Sequence, residues 1–358
     1  MAKTSVSAPK AADLLRWYEA HGRDLPWRTH HGRAASPYHT WLSEIMLQQT
    51  TVATVIPYYL RFLEKWPTVD ALAQASDDDV LQEWAGLGYY SRARNLLKCA
   101  RVIVAECNSV FPSDLSELKK LPGIGDYTAN AIRAIAFDLP ANVVDGNVER
   151  VVSRIFAFEK PLNIPANKVQ LKEMAARLAP EKYPGDYAQG LMDLGATICT
   201  PRSPKCDLCP WQKNCLAFSL GKTETIPVIE RRKKTPEKIA ACFVLRDSKN
   251  RYFMRQRPMT GLLGGLWEFP STAWETELKI GKKDFPLPQK NFKSLPKPVI
   301  HVFTHFKLTT QVFVHQEKVA HKDISLQGKW VALDALPALS TLTQKILTAA
   351  RKALGDQD

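Results

Sequence analysis

The stretch Leu121-Pro122-Gly123-Ile124-Gly125-Asp126-Tyr127-Thr128-Ala129 decides how the amino-terminal half of this chain is built. It lies between two segments of helical periodicity, Leu115 to Leu121 and Ala129 to Phe137. Two helices joined through a glycine turn form a helix–hairpin–helix, here spanning residues 121–127. Gly123 and Gly125 let backbone N–H groups approach an anion with no Cβ in the way, and the dipole of the following helix favours negative charge. Phosphate suits that position; a plain interhelical turn is the alternative.

Helical spacing continues outward from the hairpin. Trp41, Leu42, Ile45 and Met46 form one such stripe, and Val55, Ile56, Tyr59, Leu60, Phe62 and Leu63 another. From Ala11 to Ala217 the chain reads as all-α. Strand patterns begin only later, at Ile239 to Leu245 and Pro298 to Phe303, with Gly and Pro between them. The organisation expected is a helical domain over 8–220, a linker over 221–237 and an α+β domain over 238–354. The linker is charged, with Pro227 and Pro236 flanking Arg231-Arg232-Lys233-Lys234. No internal repeat is present.

The 358 residues include 49 Lys and Arg against 36 Asp and Glu, a net charge of +13 that attracts a polyanion through its long-range field. Nucleic acid is the leading partner class. No stretch approaches the roughly 20 apolar residues of a membrane helix. Met1 to Lys10 lacks the apolar core of a secretory signal, so a cytoplasmic protein with no membrane partner is expected.

Seven cysteines suit metal ligation in a reducing compartment better than disulfides. Four of them, Cys199, Cys206, Cys209 and Cys215, form a loop over 199–215 with one Cys-x2-Cys knuckle. Zinc sites more often pair two knuckles, so an iron–sulfur cluster is favoured. Arg202 and Lys205 could present charge to phosphate from this loop. Cys99, Cys107 and Cys242 fall on helices and a strand and read as small core residues.

Two acids stand out. Asp145 ends the apolar run Val143-Val144 just before a helix expected over Val148 to Phe158, where it could be an N-cap or a reacting group. Glu44 lies between apolar neighbours, with Trp41 and Leu47 one turn either side, and is either partly desolvated or an ordinary helix-surface residue.

These pieces together resemble the MutY-type adenine DNA glycosylases of the helix–hairpin–helix superfamily. The resemblance covers nearly the whole chain. It rests on Trp41 to Thr51, Gly86-Leu87-Gly88-Tyr89-Tyr90, the hairpin, Val144 to Val148, the cysteine loop and His301 to Phe306. The fold it implies is a mainly α helix–hairpin–helix glycosylase domain with an iron–sulfur loop, followed by an α+β Nudix-like domain.

That resemblance implies a monomeric enzyme that removes adenine paired with 8-oxoguanine or guanine in double-stranded DNA, working at the nucleoid and holding one [4Fe–4S] cluster. The adenosine would be rotated out of the stack. Glu44 would protonate adenine and then activate water, while Asp145 would stabilise the oxocarbenium-like sugar. Tyr127 and Asn147 would support these acids, and Arg23, Trp27, Arg28, Leu47 and Gln189 would form the adenine pocket. Gln49, Thr50, Leu87 and Tyr89 would fill or prop the space around the partner base, although Trp27, Leu87 and Tyr89 could equally be packing residues.

Bifunctional relatives place a lysine where this chain has Tyr127, so a monofunctional glycosylase is expected. In the Nudix-like part, Phe303, Thr304 and His305 match a loop that recognises the oxidised guanine, with threonine where the family often has serine. His301 and His305 otherwise read as exposed strand-end histidines. The acidic helix that binds magnesium in Nudix hydrolases does not follow Pro270, so this domain should bind without hydrolysing. Rival readings are an endonuclease III-like enzyme for oxidised pyrimidines, a catalytically silent DNA-binding protein and a Nudix hydrolase with a DNA-binding appendage.

Overall fold

The computed structural model describes residues 7–29, 35–230, 235–316, 327–337 and 339–355. The run Arg231 to Lys234 and the first six residues of the chain fall outside them. Two compact units are present: one runs to Ala75 and resumes at Asn95, the other comprises Ser76–Arg94 and the residues after Arg231.

The first unit is helical. Its elements are α1 (Ala11–His21), α2 (Pro37–Leu47), α3 (Val52–Lys65) and α4 (Val69–Ala73). Next come α5 (Asp77–Glu83), which lies in the second unit, and α6 (Ser91–Glu106), in which the boundary falls. The first unit continues with α7 (Leu115–Lys120), α8 (Asp126–Phe137), α9 (Gly146–Ile155), α10 (Pro165–Ala176), α11 (Pro184–Asp193) and α12 (Leu216–Ser219). Polar caps set several starts: the side chains of Ser36, Thr51, Asp114 and Asp145 accept backbone N–H groups at the heads of α2, α3, α7 and α9.

Helices α8, α9 and α11 enclose a core of Ala131, Ala134, Val148, Val151, Val152, Ala188 and Leu191. Gly185 permits the approach of α11 to α8, because a Cβ there would lie 2.6 Å from the Ala134 carbonyl oxygen. At its carboxyl end α11 runs into a π-helical turn, Leu194–Ile198, that delivers the chain to Cys199.

Three local expectations are corrected. Helix α8 begins at Asp126 rather than Ala129, because Gly125 is extended and caps it; Tyr127 therefore sits in a first helical turn. Helix α9 runs from Gly146 to Ile155 rather than from Val148 to Phe158, capped by Asp145 and followed by Ala157 at φ 46°. Cys107 lies one residue past α6 and is half-buried, whereas Cys99 and Cys242 are core residues as expected.

The second unit holds a seven-stranded sheet built from β1 (Glu237–Arg246), β2 (Arg251–Gln256), β3 (Trp267–Glu268), β4 (Lys293–Ser294), β5 (Val299–Val302), β6 (Lys307–Gln316) and β7 (Lys329–Ala332). Its main path is β3-β2-β1-β6-β4, with β7 on β2 and β5 on β6. Strands β1 and β6 are parallel in register from Glu237–Lys307 to Arg246–Gln316. Helix α13 (Thr341–Ala353) buries Leu342, Ile346 and Ala350 among Ala240, Val244 and Val312 on one face. Phe243, Phe253 and Phe285 pack together elsewhere in this unit. Among the described residues the stretch between β3 and α13 contains three short 3-10 turns, Lys282–Asp284, Gln289–Asn291 and Leu333–Ala335, and no α-helix.

Candidate active site

Glu44 projects from the last turn and a half of α2 and is 6% exposed, so its burial reading holds over the surface one. The Tyr127 hydroxyl, on the first turn of α8, donates to Glu44 Oε2 at 2.8 Å. Burial pushes the Glu44 carboxyl up from 4.5 to about 7. The Tyr127 hydrogen bond and the Arg28 charge oppose this rise, and Asp145 adds to it. Burial, reinforced by Glu44 and Asp145, holds the Tyr127 phenol well above its usual range, so it remains a donor.

Asp145 serves as the N-cap of α9, accepting from Val148 N at 2.7 Å. Its second oxygen accepts from Asn147 Nδ2 at 2.9 Å. Capping thus fixes the carboxylate, and its charge acts on both Glu44 and Tyr127. Arg150 holds Asn147 in turn, donating to its Oδ1 at 2.9 Å and to the carbonyls of Gly195 and Cys199 at 2.6 and 2.7 Å.

Glu44 faces a cavity of about 40 Å³ whose lining includes Arg23, Trp27, Arg28, Leu47 and Gln189. All five residues expected to form a pocket therefore meet beside the acid; Asp145 is not in this lining. Trp27 is buried against Tyr59, so its packing and pocket roles coincide. Sequence reasoning missed the residue that holds two of the five. Asp193, fully buried at the end of α11, receives Arg23 Nε at 2.7 Å and Arg28 Nη1 and Nη2 at 2.7 and 2.8 Å. Burial disfavours its charge, yet the two guanidiniums outweigh burial and hold its carboxyl below the usual range. The available signal was an acid inside the apolar helical run Leu191-Met192-Asp193-Leu194, one turn after Gln189.

The four loop cysteines line a cavity of about 30 Å³ together with Val151, Arg154, Ile155 and Leu194. Four cysteines bordering one void are a donor set that fits an iron–sulfur cluster. Buried Arg154 ties the loop down through Cys199 Sγ at 3.3 Å and the carbonyls of Thr200 and Pro201 at 2.7 and 3.2 Å.

In the hairpin, Gly123 adopts φ 76°, and a Cβ there would meet Asn95 Cβ at 2.8 Å; around Gly125 there is open space. Gln49 is exposed at φ 59° beyond α2, and Thr50 is half-buried with its hydroxyl on the Gln48 carbonyl at 3.2 Å. Within the second unit, Tyr89, Phe303, Thr304 and His305 line a cavity of about 320 Å³. The Tyr89 hydroxyl lies 2.6 Å from Thr304 Oγ1. Leu87 is buried and His305 exposed. His301 is not an exposed strand-end residue: it is half-buried inside β5, with its ring 4.5 Å from that of Phe303.

Three family models match the chain: HhH-GPD superfamily base excision DNA repair protein over residues 42–176, the iron–sulfur binding domain of endonuclease III over 199–215, and a NUDIX domain over 241–349. The adenine DNA glycosylase of Homo sapiens is 36% identical over an alignment covering 93% of this chain and 70% of that protein. That of Buchnera aphidicola subsp. Baizongia pistaciae is 32% identical, covering 93% and 89%. A solved thermostable thymine-DNA glycosylase superposes with a TM-score of 0.52 at 31% identity, covering 59% of this chain and 95% of that one. One [4Fe–4S] cluster is the resident cofactor. Helical fold, iron–sulfur loop, Nudix-like sheet and relatives aligned over nearly its full length agree: the chain belongs to the adenine DNA glycosylases, the MutY-type family of base excision repair enzymes.

Proposed function

We propose that this glycosylase removes adenine mispaired with 8-oxoguanine or guanine in duplex DNA, as a monomer and by hydrolysis without strand cleavage. The observation that carries the reading is the buried Glu44, protonated near neutrality and facing a cavity lined by Arg28 and Gln189, with Tyr127 bridging it electrostatically to Asp145.

Glu44 gives its proton to a ring nitrogen of the extruded adenine, so the electrons of the C1′–N9 bond leave with a neutral base. Asp145 stabilises the positive charge that develops on the sugar. Water then adds to C1′, and its proton passes to the Glu44 carboxylate, which regenerates the acid. Tyr127 keeps Glu44 oriented, and Asn147 does the same for Asp145. Cys199, Cys206, Cys209 and Cys215 would hold the cluster, which supplies a rigid, charged support for the loop. Gly123 and Gly125 would receive a phosphate. Gln49, Thr50, Leu87, Tyr89, Phe303, Thr304 and His305 would engage the partner strand.

Hydrolysis alone is supported by the side chains around the position of Tyr127. Tyr127 occupies the first turn of α8, and the neighbouring Lys119 and Lys120, both exposed, and the half-buried Lys172 are paired with Asp126 or Glu117. The test is an A:8-oxoguanine duplex analysed with and without alkaline workup. Strand breaks at adenine that need alkali are expected, together with no borohydride-trapped adduct. Glu44→Gln should abolish base release while retaining duplex binding. Release of thymine glycol, or excision surviving in Glu44→Gln, overturns the reading.

A further inference from the structure

The segment between α5 and α6 raises a question that the chemistry at Glu44 leaves open: what holds Tyr89 in place. Gly86, Gly88 and Tyr89 all have positive φ, at 104°, 72° and 47°. Such a backbone is costly for tyrosine and persists only when its surroundings fix it. Tyr89 is nevertheless 47% exposed, so burial in an apolar core is not what fixes it.

Arg92, in the first turn of α6, is 8% exposed. Its Nη2 donates to the carbonyls of Leu87 and Gly88 at 3.1 and 3.2 Å. The same guanidinium lies 5.1 Å from the Trp84 ring centroid and 5.6 Å from that of Tyr89. Trp84 Nε1 adds a second donor to the Gly88 carbonyl at 3.0 Å. Two consecutive peptide planes are thus pinned from inside, and the aromatic ring that follows them rests against the same cation. At its outer end Tyr89 meets the Thr304 hydroxyl.

We infer that Arg92 is a positioning residue for lesion recognition: by clamping the Leu87 and Gly88 carbonyls and backing the Tyr89 ring, it sets where Tyr89 and Thr304 meet the base opposite adenine. The inference rests on the reading of Tyr89 and Thr304 as partner-strand contacts. Arginine is required because one planar group must donate in a fork and stack on two rings at once; lysine provides charge without the plane. Burial lowers the Arg92 guanidinium to about 10, which leaves it charged at neutral pH.

The experiment compares single-turnover adenine excision opposite 8-oxoguanine and opposite guanine for the full chain and for Arg92→Lys, Arg92→Met and Tyr89→Ala, with iron content and melting temperature recorded for each. A merely structural role would lower both rates together. The expected result is a rate ratio in favour of 8-oxoguanine reduced about tenfold in Arg92→Lys and in Tyr89→Ala, with iron content unchanged. Arg92→Met covers the case in which a lysine head reaches one carbonyl and partly substitutes. A normal ratio in both Arg92 variants, alongside a collapsed ratio in Tyr89→Ala, overturns the role of Arg92. A normal ratio in Tyr89→Ala removes the underlying reading of Tyr89 and the inference with it.

Discussion

Glu44 is where a single side chain couples stability to chemistry. Its carboxyl rises from 4.5 to about 7 on folding, so the native state binds the proton more tightly than the unfolded chain does. The stabilisation is complete below the unfolded value and is lost as pH climbs through the folded one, an effect of up to about 3 kcal/mol. Glutamine keeps the shape and the Tyr127 hydrogen bond but has no charge to bury. The melting temperature of Glu44→Gln relative to the native enzyme should therefore rise between about pH 5 and about pH 8, while native single-turnover excision falls roughly tenfold per pH unit above about 7. A pH-independent difference in melting would remove the buried, titrating carboxyl from the argument. Glu44 was legible because tryptophan and leucine flank it at helical spacing. Asp193 was legible only as an acid inside an apolar helical run: its importance comes from two arginines about 170 residues away in sequence, and no local pattern specifies that pairing.

At the scale of elements, the hairpin separates two kinds of glycine. Gly123 has left-handed backbone and a close neighbour in Asn95, so Gly123→Ala should destabilise by about 1–2 kcal/mol and lower the melting temperature. Gly125 is extended, at φ −90° and ψ −178°, with nothing near a Cβ. Gly125→Ala should leave stability within about 0.5 kcal/mol. Its remaining role is the approach of backbone N–H groups to phosphate at the head of α8, so affinity for undamaged duplex should fall in a salt-dependent manner. Wild-type affinity in Gly125→Ala would mean that this hairpin is only a turn. The hairpin was readable from its glycines, but the start of α8 was not. Asp126, Tyr127 and Thr128 look like turn residues in isolation, and only the extended Gly125 shows that the helix has begun. That difference of three residues places Tyr127 on a helix facing Glu44.

Over the whole molecule, composition and periodicity showed a helical part followed by an α+β part, but not the parallel pairing of β1 with β6. That pairing joins residues 70 positions apart, and no local pattern specifies it. Grouping of Ser76–Arg94 with the carboxyl-terminal residues was equally invisible. The cysteine loop bears on the molecule at a similar range. Between the π-helical turn and α12 it contains only two short 3-10 turns, Cys206–Leu208 and Gln212–Asn214, and its cysteines border a void. Its backbone hydrogen bonds are mostly local, as from Cys209 N to the Cys206 carbonyl at 3.0 Å and from Cys215 N to the Gln212 carbonyl at 3.2 Å, so the cluster would supply the cross-links among the four cysteines that these turns do not. Trp211, fully buried, donates to the Lys10 carbonyl at 2.9 Å and so ties this loop to the start of α1. Cys206→Ala should therefore lower iron per chain and expose Arg202, Lys205 and Lys213 to trypsin. Far-ultraviolet circular dichroism should change little, because the loop contributes only two short 3-10 turns to the helical content. If iron-depleted protein resists trypsin as well as the loaded enzyme does, the loop is self-supporting and the cluster's contribution must be sought in something other than structure.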